Sequence, residues 1–236
     1  MSERAPGQER AEREALEHAL RVFGSYREGD LTIDDQHTRV RFVTEPSSGR
    51  LIASAPSATF FGSHLVLHVP DETDDALALL VSAEEIEEGH ATDRWLAFHL
   101  SPSGQSAASD PDAGEGGREM PEHTRWAAMW VDSAKHGPWV FDGDAFMAPN
   151  PAASQEAAVC RRVNADRGRL ARACVAETGV ELAEDPVCVG VDPGGLYVRL
   201  AHGVVRLPFP EPGDDGVGGI ETLDSLVERV LSSGDQ

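Results

Sequence analysis

In "QERAEREALEHALRVF" (residues 8–23), Ala11, Ala15, Leu16, Ala19, Leu20 and Phe23 fall on one stripe at helical spacing. This predicts an amphipathic helix, with Gly24 as its stop. The pattern then shortens toward alternation. "TRVRFVT" (38–44) puts Val40, Phe42 and Thr44 on one side, as a half-buried strand does. "RLIASAPS" (50–57), "SHLVLHVP" (63–70), "ALALLVS" (76–82) and "RWLAFHLS" (94–101) read as further strands, separated by "EPSSG", "PDETDD" and "EEGHATD". Short strands at regular spacing predict a β-barrel or sandwich.

The pattern lapses in "PSGQSAASDPDAGEGGREMPEH" (102–123), which reads as an acidic loop within the β domain, just as residues 1–7 read as disordered. "TRWAAMWV" (124–131) and "PWVFDGDAF" (138–146) resume the sheet. "APNPAAS" (148–154) marks a boundary, giving domains 1–150 and 151–236. After it, residues 154–178 predict one long helix, with Ser154 as N-cap and Gly179 as stop. "PVCVGVDPGGLYVRLAHGVVRLPFP" (186–210) predicts strands with turns at "DPGG" and "AHG", and "ETLDSLVERVL" (221–231) a closing helix. The fold class expected is α+β: a β domain followed by a small αββα domain.

Charge narrows the partners. The chain has 236 residues and a net charge of -21, which repels nucleic acid and anionic lipid, so neither is an expected partner. No apolar run reaches membrane-spanning length, and "MSERAPGQERAERE" lacks a signal-peptide core. Cys160, Cys174 and Cys188 form no CxxC pair and read as reduced, packed thiols, so a cytoplasmic protein is expected. Against this acidity, Arg161, Arg162, Arg167, Arg169 and Arg172 crowd into one segment. On a continuous helix, Arg167 falls with Asn164 in the sector of Val163, Ala171 and Cys174, so Arg167 is expected to point inward toward a carboxylate or a bound anion. The other arginines are expected on a solvated face.

With these elements in place, "RLIASAPSATFFGSHLVLHV" resembles the flavin-type split barrel of the pyridoxamine-phosphate oxidase superfamily. "APNPAASQEAAVCRRVNADRGRL", "VGVDPGGLYVRL" and "VVRLPFP" resemble the αββα domain of bacterial haem-utilisation proteins and of the glutamyl-tRNA reductase-binding protein. The resemblance covers most of the chain from about residue 38 onward. It implies a homodimer and a link to haem, tetrapyrrole or flavin chemistry. Where that family's helix reads His-Met-Asn-x-Asp-His, this chain keeps Asn164 and Asp166 but has Arg162 and Arg167 at the histidine positions, and a guanidinium does not ligate iron. Where split-barrel flavoproteins hold the FMN phosphate, this chain has Glu84, Glu85, Glu87 and Glu88, whose carboxylates would repel it, so FMN is not expected.

The cofactor-binding candidates are Asn164, Asp166 and Arg167, implied by the resemblance, together with His64 and His68 on one strand face. His99 is expected on a neighbouring strand. His64 and His68 are about 13 Å apart along a strand, too far to share one ion, so no metal site is expected. Trp95, Trp126, Trp130 and Trp139 read as core or interface. The expected function is a split-barrel binding or regulatory protein linked to haem or tetrapyrrole metabolism, without redox catalysis. The alternatives are a haem-binding or haem-degrading protein and an FMN-dependent oxidoreductase. The partners expected are a second copy of the chain, haem or another anionic small molecule, and a protein.

Overall fold

The computed structural model describes residues 6–73, 75–100, 124–201, 203–209 and 223–233. The acidic loop expected at 102–123, and most of the disordered stretch expected at 1–7, lie outside the described residues. The chain divides into two units, Met1–Trp95 with Glu119–Pro149, and Leu96–Arg118 with Asn150–Gln236.

In the first unit, α1 (Pro6–Ser25) precedes β1 (Glu28–Ile33), β2 (Gln36–Thr44), β3 (Leu51–Pro56), β4 (Leu65–Val69), β5 (Leu77–Glu85), β6 (Thr124–His136) and β7 (Trp139–Asp142). The strands are hydrogen-bonded in the order β3-β2-β1-β4-β5-β6-β7, and β3 also pairs with β6. That extra pairing closes β1 to β6 into a six-stranded antiparallel barrel, with β7 attached to β6. Alternation sets the lining: Leu65, Leu67 and Val69 of β4 and Leu77, Leu79 and Val81 of β5 are buried inside. β1 escaped the sequence pattern because "EGDLTI" alternates over only three apolar or small positions and opens with acids. Gly29 within it faces the β4 backbone, where an added Cβ would lie 2.4 Å from the His68 carbonyl oxygen.

The stripe on α1 lies against the barrel core from Ala15 onward, with Ala19 and Phe23 buried, while Ala11 stays exposed. Phe23 stacks on Phe42 at 6.1 Å and meets the edge of Phe146 at 5.8 Å. The helix runs one residue past Gly24, and Arg27 terminates it, donating to the carbonyls of Phe23 (3.3 Å) and Tyr26 (2.6 Å). A cation there complements the negative end of the helix dipole.

The strand expected at 94–101 is instead a helix, α2 (His90–His99), so His99 is a helical residue and not part of a strand face. Thr92 makes reciprocal hydrogen bonds with the Gly89 backbone at the helix start, which fixes the first turn. Residues of α2 up to Trp95 count with the first unit and those from Leu96 with the second. Trp95 is buried against Trp126 (5.2 Å) and donates to the Arg41 carbonyl. In the second unit, the buried Arg199 guanidinium donates to the carbonyls of Ala97 and Leu100 at the end of α2.

The second unit also contains α3 (Ala153–Ala165), α4 (Arg167–Thr178), β8 (Val187–Asp192), β9 (Gly195–Leu200), β10 (Gly203–Pro208) and α5 (Leu223–Ser233). The single helix expected at 154–178 is therefore broken at Asp166, and its N-cap is Ala152 rather than Ser154. Gly179 ends α4 in the left-handed region at φ 69°, as expected. The "DPGG" and "AHG" turns separate three strands rather than two, in the antiparallel order β10-β9-β8. The core is formed by Val159, Val163, Leu170, Val191, Leu196 and Val227 with their neighbours.

Phe23→Ala is expected to destabilise the protein by about 3 kcal/mol, because it empties the ring cluster that joins helix to barrel. A urea titration would measure this.

Candidate functional site

The longest strand carries the candidate site. β6 runs on beyond its pairing with β3, so its last residues, Lys135 and His136, reach the turn into β7 beside the connection from β4 to β5. Two adjoining clefts open there. One, of about 450 Å³, is bordered by His68, Glu72 and Lys135. The other, of about 430 Å³, is bordered by His18, Val22, Tyr26, Pro70 and His136. Both share Thr73, Ala76 and Gly137. On α1 and just after it, His18, Val22 and Tyr26 recur every four residues, so one side of the helix supplies an imidazole, an aliphatic wall and a phenol.

The groove is preformed. Arg39 donates to the Pro70 carbonyl (2.7 Å), to Asp30 (3.0 Å) and to Glu28 (2.8 Å), and it also pairs with Asp71. Asp30 accepts from the Glu72 backbone at 3.1 Å. Burial raises the Asp30 carboxyl, but the hydrogen bonds from Arg39 and Glu72 outweigh it, so its pKa is lowered and it stays ionised. The loop after β4 is thereby tied to β1.

The His18 and His136 rings lie 5.1 Å apart, tilted by 34°. The His136 Nδ1 is buried and has no hydrogen-bond partner among the described residues. Lys135, the only lysine of the chain, is exposed at the rim and makes no ion pair among them. Glu72 is engaged by His37 at 2.7 Å. No group of three or more His, Cys, Asp or Glu suited to a metal ion occurs among the described residues. The two clefts thus bring imidazoles, one lysine and the carboxylates of Glu72 and Asp75 beside an apolar wall.

Of the residues singled out in the sequence, His68 alone borders this groove. His64 is exposed just before β4, and its backbone is held by Asp34. Asn164, Asp166 and Arg167 belong to the second unit. Asn164 donates to the Cys188 carbonyl (2.9 Å) and accepts from the Cys188 amide (2.8 Å), which fastens α3 to β8. Asp166 accepts from the Arg169 amide at 3.0 Å and caps α4. Arg167 does not point inward. The break at Asp166 resets the helix phase, leaving Arg167 with 57% of its side chain exposed, 3.6 Å from Asp185. Two other arginines of the cluster meet acids of α5, Arg162 with Asp224 at 2.7 Å and Arg169 with Glu228 at 2.8 Å.

Lys135 and His136 were missed because they lie beyond the apolar run at 124–131, and His18 because it stands beside the α1 stripe as an ordinary polar residue. The helical period of His18, Val22 and Tyr26 was the available signal. At the acidic end of β5, Glu84 lies 3.5 Å from Arg50 and Glu85 3.6 Å from Arg125, which offsets part of the negative charge there.

No family model and no curated protein matches the sequence. Among solved structures, the chain is similar to the protein Atu2129, of unknown function, from Agrobacterium tumefaciens strain C58, with 18% identity, a TM-score of 0.60, and 93% of this chain and 94% of that one covered. It is also similar to a heme binding protein from Mycobacterium smegmatis, with 15% identity, a TM-score of 0.37, and 94% and 98% covered. The likeness to Atu2129 is one of fold, and a closed six-stranded antiparallel barrel fits a split barrel.

Asn164→Ala is expected to cost about 2 kcal/mol, since it removes two hydrogen bonds to the β8 backbone. Arg167→Met is expected to change stability by no more than about 0.5 kcal/mol, as an exposed substitution does. Urea unfolding of both variants separates a structural Asn164 from an exposed Arg167.

Proposed function

We propose that the protein is a ligand-binding member of the flavin-type split-barrel class with a C-terminal αββα-like domain, and that it binds haem or a related carboxylated tetrapyrrole without redox catalysis. One observation carries this reading: two facing imidazoles, one with an unpartnered buried nitrogen, stand beside the apolar wall of a preformed groove. Haem asks for an axial nitrogen donor, an apolar surface for the macrocycle and cations for its propionates. His18 and His136 would supply the first, Val22 and Pro70 the second, and Lys135 the third. The sequence resemblance to haem-utilisation proteins points the same way.

Haem added to the purified protein is expected to give a saturable Soret band at one equivalent per chain. His136→Ala should weaken binding at least about tenfold, equivalent to about 1.4 kcal/mol, while His64→Ala leaves it unchanged. A titration without a Soret shift, or one that His136→Ala does not alter, rejects the proposal.

The barrel exterior also exposes Phe61 (86%) and Val140 (67%), apolar surface suited to a second copy of the chain. Light scattering should give about twice the 25.3 kDa chain mass; a value of 25.3 kDa would rule the dimer out.

A further inference from the structure

The three cysteines are all reduced. Cys174 is fully buried on α4, and burial alone pushes its thiol up to about 11. Cys160 and Cys188 stand differently. Their Sγ atoms are in contact at 3.7 Å, one on α3 and the other on β8, 28 positions apart in the chain. Cys188 is buried, whereas Cys160 is half-buried and so open to a small reagent. The backbone around them is pinned, because Asn164, one helical turn beyond Cys160, holds both the amide and the carbonyl of Cys188. These two hydrogen bonds hold α3 against β8 at the level of the two sulfurs. A disulfide needs them roughly 1.7 Å closer, at about 2.05 Å, a shift within reach of side-chain rotation.

From this we infer that Cys160 and Cys188 are an oxidisable dithiol that hydrogen peroxide converts into an intramolecular disulfide between α3 and β8. The Cys160 thiolate attacks the peroxide oxygen and the O–O bond breaks. Cys160 becomes a sulfenic acid, and the departing oxygen leaves as water after taking up the thiol proton. The Cys188 sulfur then attacks the Cys160 sulfur and the S–OH bond breaks. The hydroxide leaves as a second water, carrying the Cys188 proton. Two thiols are oxidised by two electrons and one peroxide is reduced. Cys174, with no sulfur neighbour among the described residues, remains a thiol and serves as an internal reference.

The test uses the full chain treated with hydrogen peroxide, then denatured, alkylated and digested for mass spectrometry. The expected product has lost two of its three thiols, is 2 Da lighter before alkylation, and yields one cross-linked peptide joining Cys160 to Cys188. Cys160→Ser, at the half-buried position, should give neither the mass loss nor the cross-link. Should that variant fail to fold, the peptide map of the natural chain decides alone. Three surviving thiols, a cross-link between two chains, or oxygen addition at Cys160 without a bridge would each overturn the inference.

Discussion

Closure of the barrel through the β3–β6 pairing is the constraint on which the first unit depends. An open six-stranded sheet would present two rows of unpaired backbone groups; closure removes both edges. It obliges β6 to serve three neighbours: β3 along Thr124–Met129, β5 along Ala127–Lys135, and β7 along Ser133–His136. A strand long enough for all three carries its final residues past the β3 seam. Lys135 and His136 therefore arrive at the barrel rim as a consequence of closure, and α1, seated by Phe23, brings His18 to meet them.

The second unit is organised by a different device. A short polar run, "VNADRG", stops one helix and starts the next. Asn164 completes the hydrogen bonding of β8 at Cys188, and Asp166 satisfies the first amides of α4. Both side chains are thus engaged by backbone groups of this unit. Asn and Asp are needed by the fold, whereas Arg162 is free to pair with α5. Arg162 and Arg169 thus tie α3 and α4 electrostatically to α5.

Much of the fold was legible because barrel strands and amphipathic helices write their periods plainly. β2 to β6, α1 and α5 all lie where apolar spacing places them. The misreadings have specific causes. "RWLAFHLS" is too short to distinguish period two from 3.6, and the Thr92 cap decides it. The phase of Arg167 was extrapolated through Asp166, across a helix break that a non-glycine, non-proline residue hides. The groove was mostly illegible, since its members come from α1, β4 and β6 and only closure brings them together. His68 was accessible from strand alternation; His136, at the end of a strand, was not.

If haem occupies the groove between α1, the β4–β5 connection and the end of β6, it shields the backbone there from solvent. Backbone hydrogen exchange with and without haem tests that placement most directly. Slower exchange on haem addition, confined to about residues 69–76, 134–139 and the His18–Tyr26 side of α1, is the predicted result. Protection concentrated in α3 and α4, or no change anywhere in the chain, would contradict the account.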